Sequence, residues 1–221
     1  PSSYFDGGGN LIIDEGTNAF LRDVLGPTPT ITVSDADLRT ITNINERRDR
    51  LTENNLIFAS SYTFSKTTKT DQNDNTFHVF RTKIESAGAF LSLVARISDA
   101  LKNQDGASTF LGVAYSQYLK GESEFIKHLA LGRKTVLAFR AFGGIAIPYG
   151  NADNIPFSRS YFAGGSNDNR AWLSYALGPG RARTINDFNE ANMKLAASIE
   201  YRFNLFGGFN GALFVDAGNI W

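Results

Sequence analysis

Residues 192–203 alternate between polar and apolar side chains, and this pattern constrains the fold more than any other part of the chain. The apolar set comprises Met193, Leu195, Ala197, Ile199, Tyr201 and Phe203. The intervening residues are polar apart from Ala196. Because successive side chains of a β-strand point to opposite faces, the segment is predicted to be one long strand with an apolar face and a polar face.

Five other segments are also predicted to be strands. Residues 51–65, 109–131, 135–147 and 211–221 show the same two-faced character, whereas both faces of the strand predicted over 77–85 carry polar groups. Their length of about ten residues or more is roughly twice that of strands in soluble sheets, and it is long enough to cross a bilayer when tilted. Long strands joined by alternately short and long connections favour an antiparallel up-and-down transmembrane β-barrel over a sandwich. The fold class is therefore predicted to be all-β, as part of such a barrel.

Composition narrows the function without deciding it. The 22 Lys and Arg residues balance the 22 Asp and Glu residues, so the chain has no basic excess with which to bind a nucleic acid. The absence of cysteine excludes disulfides, thiolate metal sites and cysteine nucleophiles. No apolar run of 18 residues indicates a membrane-spanning helix, but alternating barrel strands would leave no such run. Composition alone leaves both a soluble β protein and an outer-membrane barrel open.

Residues 1–50 do not continue the strand pattern, since glycines and prolines interrupt them. The Ser-Asp-Ala-Asp sequence at residues 34–37 predicts the start of a short helix that ends in the charged run at 46–50. We expect residues 1–50 to form a long extracellular loop or insert, and residues 51–221 to form the partial barrel. Apolar residues at helical spacing predict one further short helix over 88–103.

The long connection before the strand at 192–203 has the composition of a shaped hairpin, which we place at residues 157–190. Paired glycines allow positive φ, the Ser, Asn and Asp side chains favour local turns, and a proline between two glycines fixes the exit. The residues that carry this pattern are Gly164, Gly165, Asn167, Arg170, Trp172, Gly178, Pro179 and Gly180. An arginine and a tryptophan therefore lie near the tip of a rigid loop.

These residues resemble the signature hairpin of the BamA/TamA superfamily of outer-membrane assembly proteins, the bacterial surface antigen family, whose tip reads Val-Arg-Gly-Tyr/Phe in most members. The segment from Phe214 to Gly218 resembles the Phe-x-Asp-x-Gly strand of the same superfamily, at the expected separation. The resemblance covers residues 51–221 and is closest to a TamA-like member. Asn169 and Ala171 depart from the usual residues on either side of the tip arginine.

In that superfamily the hairpin folds into the barrel lumen, and its tip arginine pairs with acidic residues on the two following strands. The resemblance therefore implies that Arg170 pairs with Glu200 and Asp216 as a structural latch. The alternation places both acids on the polar faces of their strands, which agrees with this assignment. We expect Trp172 to anchor the hairpin against the lumen wall. His78 and His128 lie on different strands without a third ligand, so no metal site is expected.

The resemblance implies a bacterial outer-membrane barrel that assists the insertion, assembly or translocation of other outer-membrane proteins. Such a protein is expected to have no enzymatic activity and no cofactor. The implied partners are the lipid bilayer, unfolded outer-membrane protein clients and periplasmic or lipoprotein subunits, and they do not include nucleic acid.

Two alternatives stay open at this point: a transport pore of the two-partner-secretion type, and the membrane anchor of a fused patatin-like lipase. We expect the sequence to be part of a longer protein, without its POTRA domains and closing strands. Several POTRA repeats upstream would indicate assembly, two repeats with a plug helix would indicate secretion, and a Gly-x-Ser-x-Gly domain would indicate the lipase.

Overall fold

The computed structural model describes most of the chain. The described residues are 4–10, 12–53, 55–97, 109–110, 112–150, 152, 154–181 and 189–221. The chain divides into two compact units, Pro1–Glu53 and Asn54–Trp221.

The first unit contains two helices, α1 at Glu15–Leu25 and α2 at Asp35–Thr52. Helix α2 begins where its sequence predicts, because the Ser34 Oγ accepts a hydrogen bond from the Asp37 N–H at 3.2 Å. Helix α1 was not predicted; Asp14 at its N-cap has a φ of 69° and makes no capping hydrogen bond. Among the described residues, no helix is both long and apolar enough to cross a lipid bilayer.

The described strands of the second unit are β1 Ala59–Thr67, β2 Phe77–Ala87, β3 Thr109–Phe110, β4 Val113–Ala114, β5 Tyr118–Gly132, β6 Thr135–Pro148, β7 Met193–Phe206 and β8 Phe209–Ile220, and helix α3 is Ala89–Ile97. Six of the strands form an antiparallel sheet in the order β1-β2-β5-β6-β7-β8. A separate two-stranded ribbon, β3-β4, and α3 lie between β2 and β5 in the chain. Within the described part of the chain β1 and β8 are edge strands, so the all-β antiparallel sheet is confirmed and its closure into a barrel stays a prediction.

Two predicted strands differ from the structure. The strand predicted over 51–65 begins later than expected, because α2 continues to Thr52 and β1 begins at Ala59. The strand predicted over 109–131 is interrupted, because Gly112 has a φ of 79° and turns β3 back onto β4 before β5 begins. Tyr115 lies outside these strands and forms an isolated parallel bridge with Leu56. The helix predicted over 88–103 is present as α3. Its predicted continuation past residue 97 lies outside the described residues, as does the 182–188 part of the hairpin.

The strand register sorts the side chains of the sheet onto two faces. On one face, Phe139 pairs with Ile199, which pairs with Val215. This face is mainly apolar, although Lys66 and Lys127 also lie on it. Its exposed apolar side chains include Tyr62, Phe64, Ile84, Leu119, Ile145, Ile147, Leu195, Ile199, Leu213 and Val215. On the other face, Arg140 pairs with Ser198, which pairs with Asp216. The second, polar face is the one that the hairpin covers.

The buried core of the second unit lies between the polar face and the hairpin. The connection between β6 and β7, which includes the hairpin, supplies Ile155, Tyr161 and Ala163 to it. The strand residues in this cluster are Ala87, Tyr118, Ala146 and Ile220. All four lie near the strand ends at the edge of the sheet where this connection leaves β6. The hairpin is therefore an integral part of the packing.

Candidate functional site

Two adjacent glycines shape the hairpin before its tip. Gly164 and Gly165 have φ of 100° and 102°, a region that favours glycine. A Cβ on Gly164 would collide with the carbonyl oxygen of Leu173. The Gly165 N–H donates to the Trp172 carbonyl at 2.8 Å, and the Gly164 N–H donates to the Asp168 carboxylate at 2.9 Å. The tip is consequently a closed turn with a defined backbone.

Arg170 at this tip makes most of its hydrogen bonds to Asp216 of β8. The guanidinium donates from Nε to Oδ2 at 2.8 Å and from Nη2 to Oδ1 at 2.7 Å, which is a bidentate pair. The backbone N–H of Arg170 donates to the same Oδ2 at 3.1 Å. The side chain of Asp216 is only 7% exposed and that of Arg170 is 24% exposed. One carboxylate therefore holds both the side chain and the backbone of the tip.

Glu200 of β7 binds the remaining side of the guanidinium. Arg170 Nη1 lies 2.5 Å from Glu200 Oε2, and Arg202 Nε donates to Glu200 Oε1 at 2.6 Å. The Phe214 ring lies beneath the guanidinium, with its centroid 3.5 Å from Cζ, which is a cation–π contact. The structure thus brings Arg170, Glu200 and Asp216 together, and we call these three residues the tip latch.

The tip latch and Arg202 together carry two positive and two negative charges, so the cluster is internally neutral. Hydrogen bonding to Asp216, and then to Glu200, raises the pKa of the Arg170 guanidinium above its ordinary value against the opposing effect of burial. Arg170 is therefore charged at any physiological pH. Since both carboxylates act as acceptors, the arrangement can tie the hairpin to two adjacent strands.

Asn169 and Gly218 form a close contact that the sequence did not predict. Asn169 is 4% exposed, and a Cβ on Gly218 would lie 2.7 Å from its Oδ1 and 2.9 Å from the Leu195 carbonyl oxygen. Asn169 departs from the usual apolar residue at this position of the tip, and its amide lies directly over the glycine of the Phe-x-Asp-x-Gly motif. The bare backbone at Gly218 is what lets the tip approach β8.

Two cations on the polar face hold the turn that precedes Arg170. Lys194 Nζ lies 2.9 Å from the Asp168 carboxylate and donates to the Phe162 carbonyl at 2.8 Å. Arg140 Nη1 donates to the Asn167 carbonyl at 3.1 Å. The alternation of β6 and β7 placed both cations on the polar face, but it contains no signal for their partners in the hairpin.

The exit of the hairpin is fixed to the end of β8. The Gly178–Pro179 peptide bond is cis, and Gly178 has a φ of 93°. The Gly180 N–H donates to the Ile220 carbonyl at 2.8 Å, and Asn219 Nδ2 donates to the Gly180 carbonyl at 2.7 Å. The three predicted exit residues therefore lie beside the strand that carries Asp216.

Trp172 and the histidines do not form part of this cluster. Trp172 was expected to pack against the wall, but it is 50% exposed beside Leu173, which is 81% exposed. None of the described residues covers this edge of the hairpin. His128 stacks on Phe77 with ring centroids 4.5 Å apart. Among the described residues, no three His, Asp or Glu side chains are placed to hold a metal ion.

Comparison with protein families identifies the family of the chain. A family model described as the Omp85 superfamily domain matches residues 29–221, a segment that includes the whole six-stranded sheet and the tip latch. The match supports the resemblance to the BamA/TamA superfamily that the hairpin and strand motifs indicate. No curated protein matches the chain.

Proposed function

From the finding that the chain belongs to the Omp85 superfamily, we propose that it forms part of a bacterial outer-membrane barrel that helps other outer-membrane proteins to insert. Membership of this superfamily supports a role in outer-membrane protein assembly or translocation in general. The observation that carries the proposal is the tip latch. It fixes a long hairpin on the polar face of a sheet whose opposite face is apolar and exposed.

The dimensions of the strands support a transmembrane wall. β6 and β7 each have 14 residues. At about 3.4 Å per residue and a tilt of about 40°, such strands span roughly 36 Å along the membrane normal, more than the apolar band of about 25 Å in outer-membrane barrels. The exposed apolar face would contact lipid, and the charged face would line a wet interior. In that setting the hairpin lies inside the barrel.

The tip latch is proposed to hold the hairpin in this interior position. The backbone ladder already joins β7 to β8. Because Glu200 lies on β7 and Asp216 on β8, Arg170 of the hairpin links the two strands a second time. The expected partners are the bilayer, unfolded outer-membrane protein clients and periplasmic or lipoprotein subunits. A TamA-like role is the finer assignment that we propose.

Depletion of the protein in its own host tests the proposed function. We expect quantitative proteomics of isolated outer membranes to find reduced levels of several barrel proteins, with restoration by the wild-type gene. Loss of a single secreted protein, with the barrel proteins unchanged, would instead favour the secretion-pore alternative. An outer membrane that is unchanged in both respects would refute the proposal.

A further inference from the structure

A buried carboxylate far from the tip latch in the strand order carries a second inference. Glu85 of β2 is 4% exposed and accepts hydrogen bonds from the Tyr118 hydroxyl at 2.6 Å and from Lys83 Nζ at 2.7 Å. Its Oε1 also lies 3.6 Å from Nη1 of Arg159. A buried carboxylate needs hydrogen-bond donors and cations to offset its desolvation. The hairpin supplies one of these cations, Arg159, to Glu85.

The same turn of the hairpin is also held through its backbone. Arg159 ends a 3-10 turn at Phe157–Arg159, and Lys120 Nζ of β5 donates to the Arg159 carbonyl at 2.9 Å. Lys120 lies over the ring of Tyr161 at 4.2 Å, and Tyr161 is 6% exposed. Side-chain, backbone and packing contacts therefore converge on the first residues of the hairpin.

We propose that Glu85, Tyr118, Lys120 and Arg159 form a second attachment, the base anchor, which positions the start of the hairpin independently of the tip latch. The base anchor lies on β2 and β5 and the tip latch lies on β7 and β8, with β6 between the two pairs. The hairpin thus braces five strands of the sheet. This inference rests on the proposed function for its biological meaning, but its test does not depend on that function.

Independence of the two attachments has a structural basis. Among the described ion pairs, no charged side chain belongs to both clusters, and each cluster binds a different segment of the hairpin. Loss of the tip latch should release the residues around Arg170 and leave the base packed. Loss of the base anchor should loosen the core beneath Tyr161 and leave the bidentate pair at the tip.

The chain contains no cysteine, so single introduced thiols can report on each end of the hairpin. Ala163→Cys, at a position that is 0% exposed, reports on the base, and Asn169→Cys, at a position that is 4% exposed, reports on the tip. The rate of thiol labelling is measured on purified, folded full-length protein, with β-sheet content checked for each variant.

We expect Glu85→Gln combined with Arg159→Gln to raise labelling at the base reporter at least tenfold, with less than a threefold change at the tip reporter. Arg170→Gln should produce the reverse. Arg81→Gln is the matched control: its side chain lies on the same face of β2 but pairs with Glu124 of β5. It should change neither rate.

A second variant keeps the test decisive if the double substitution does not fold. Lys120→Met retains the length of the side chain and removes its hydrogen bond to the hairpin backbone, so it should also raise labelling at the base. Arg159→Lys, which preserves the charge, should restore most of the protection lost in Arg159→Gln. Unchanged labelling at the base in the folded base-anchor variants would overturn the proposal. An equal rise at both reporters would overturn it too, because it would mean that the hairpin has a single attachment.

Discussion

Replacement of Asp216 by alanine removes most of the hydrogen bonds to the hairpin tip, and its effect can be estimated from the structure. Asp216 accepts three hydrogen bonds from Arg170, at 2.7, 2.8 and 3.1 Å, whereas Glu200 accepts one from it. A hydrogen bond to a charged group contributes about 1.5–3 kcal/mol, but such contributions do not add fully. Water also recovers part of the loss, because the Arg170 side chain is 24% exposed.

We therefore expect Asp216→Ala to weaken the closed tip by about 3 kcal/mol, which is roughly a 100-fold change in the ratio of closed to open tip. Glu200→Ala should cost about 1 kcal/mol, roughly fivefold, since Arg170 keeps its bidentate partner. Asp216→Asn should fall between the two variants, because the amide keeps one acceptor oxygen.

Hydrogen exchange of a peptide covering residues 164–173 measures this opening. The N–H groups of Gly165, Arg170 and Trp172 are hydrogen-bonded in the closed tip, so their protection reports on the latch. Arg202→Gln is the control. Arg202 binds Glu200 Oε1, the oxygen that does not bind Arg170, so its substitution should change exchange less than twofold. Exchange in Asp216→Ala equal to that of the wild type, or a larger effect of Glu200→Ala, would show that Asp216 is not the main partner of the tip.

Three further predictions test the packing, the membrane face and a turn. Gly218→Ala should cost about 1–3 kcal/mol of stability by forcing the tip off β8, whereas Gly121→Ala, whose Cβ meets nothing within 4 Å, should cost far less; denaturant midpoints compare the two. Val215→Lys, at a position 72% exposed on the apolar face, should reduce folding into lipid vesicles by about 2–4 kcal/mol, whereas Val215→Thr should not; equal folding would argue against a lipid-facing surface. Backbone hydrogen bonds, chiefly from Thr76, lower the pKa of Asp74. The β1–β2 turn should therefore be protected from hydrogen exchange above a pH of about 4 and should lose that protection as the pH falls further. The Asp74→Asn variant should lack this pH-dependent change in protection.

The faces of the sheet could be predicted because they depend on local alternation. The register places Ile199 beside Val215, and Ser198 beside Asp216, as the period of two requires. The interruption at Gly112 was not predicted, because a single positive-φ glycine does not disturb the apolar pattern around it.

The contacts of the hairpin were predictable only where a known motif supplied them. Arg170 and Asp216 are 46 residues apart, and nothing in their local sequence pairs them without the family resemblance. Alternation places Lys194 on a polar strand face and Glu85 within a predicted strand whose two faces both carry polar groups, but it assigns no partner to either residue. The contacts of these two residues with the hairpin depend on its three-dimensional path.

One of the two departures at the tip, Asn169, gains a physical account from the structure. Its buried amide is accommodated by the missing side chain of Gly218. A local departure from a motif can thus be matched by a residue about 50 positions away, which a reading of one segment does not reveal.

Exchange of the two charges at the tip latch tests whether the Arg170–Asp216 pair holds the hairpin for function, with the rate of client insertion into lipid vesicles as the measurement. Arg170→Asp and Asp216→Arg alone should each slow insertion, because each places like charges together in a partly enclosed site. The two substitutions combined should recover a substantial part of the wild-type rate. Wild-type rates in both folded single variants, or no recovery in a folded double variant, would show that the pair is not required.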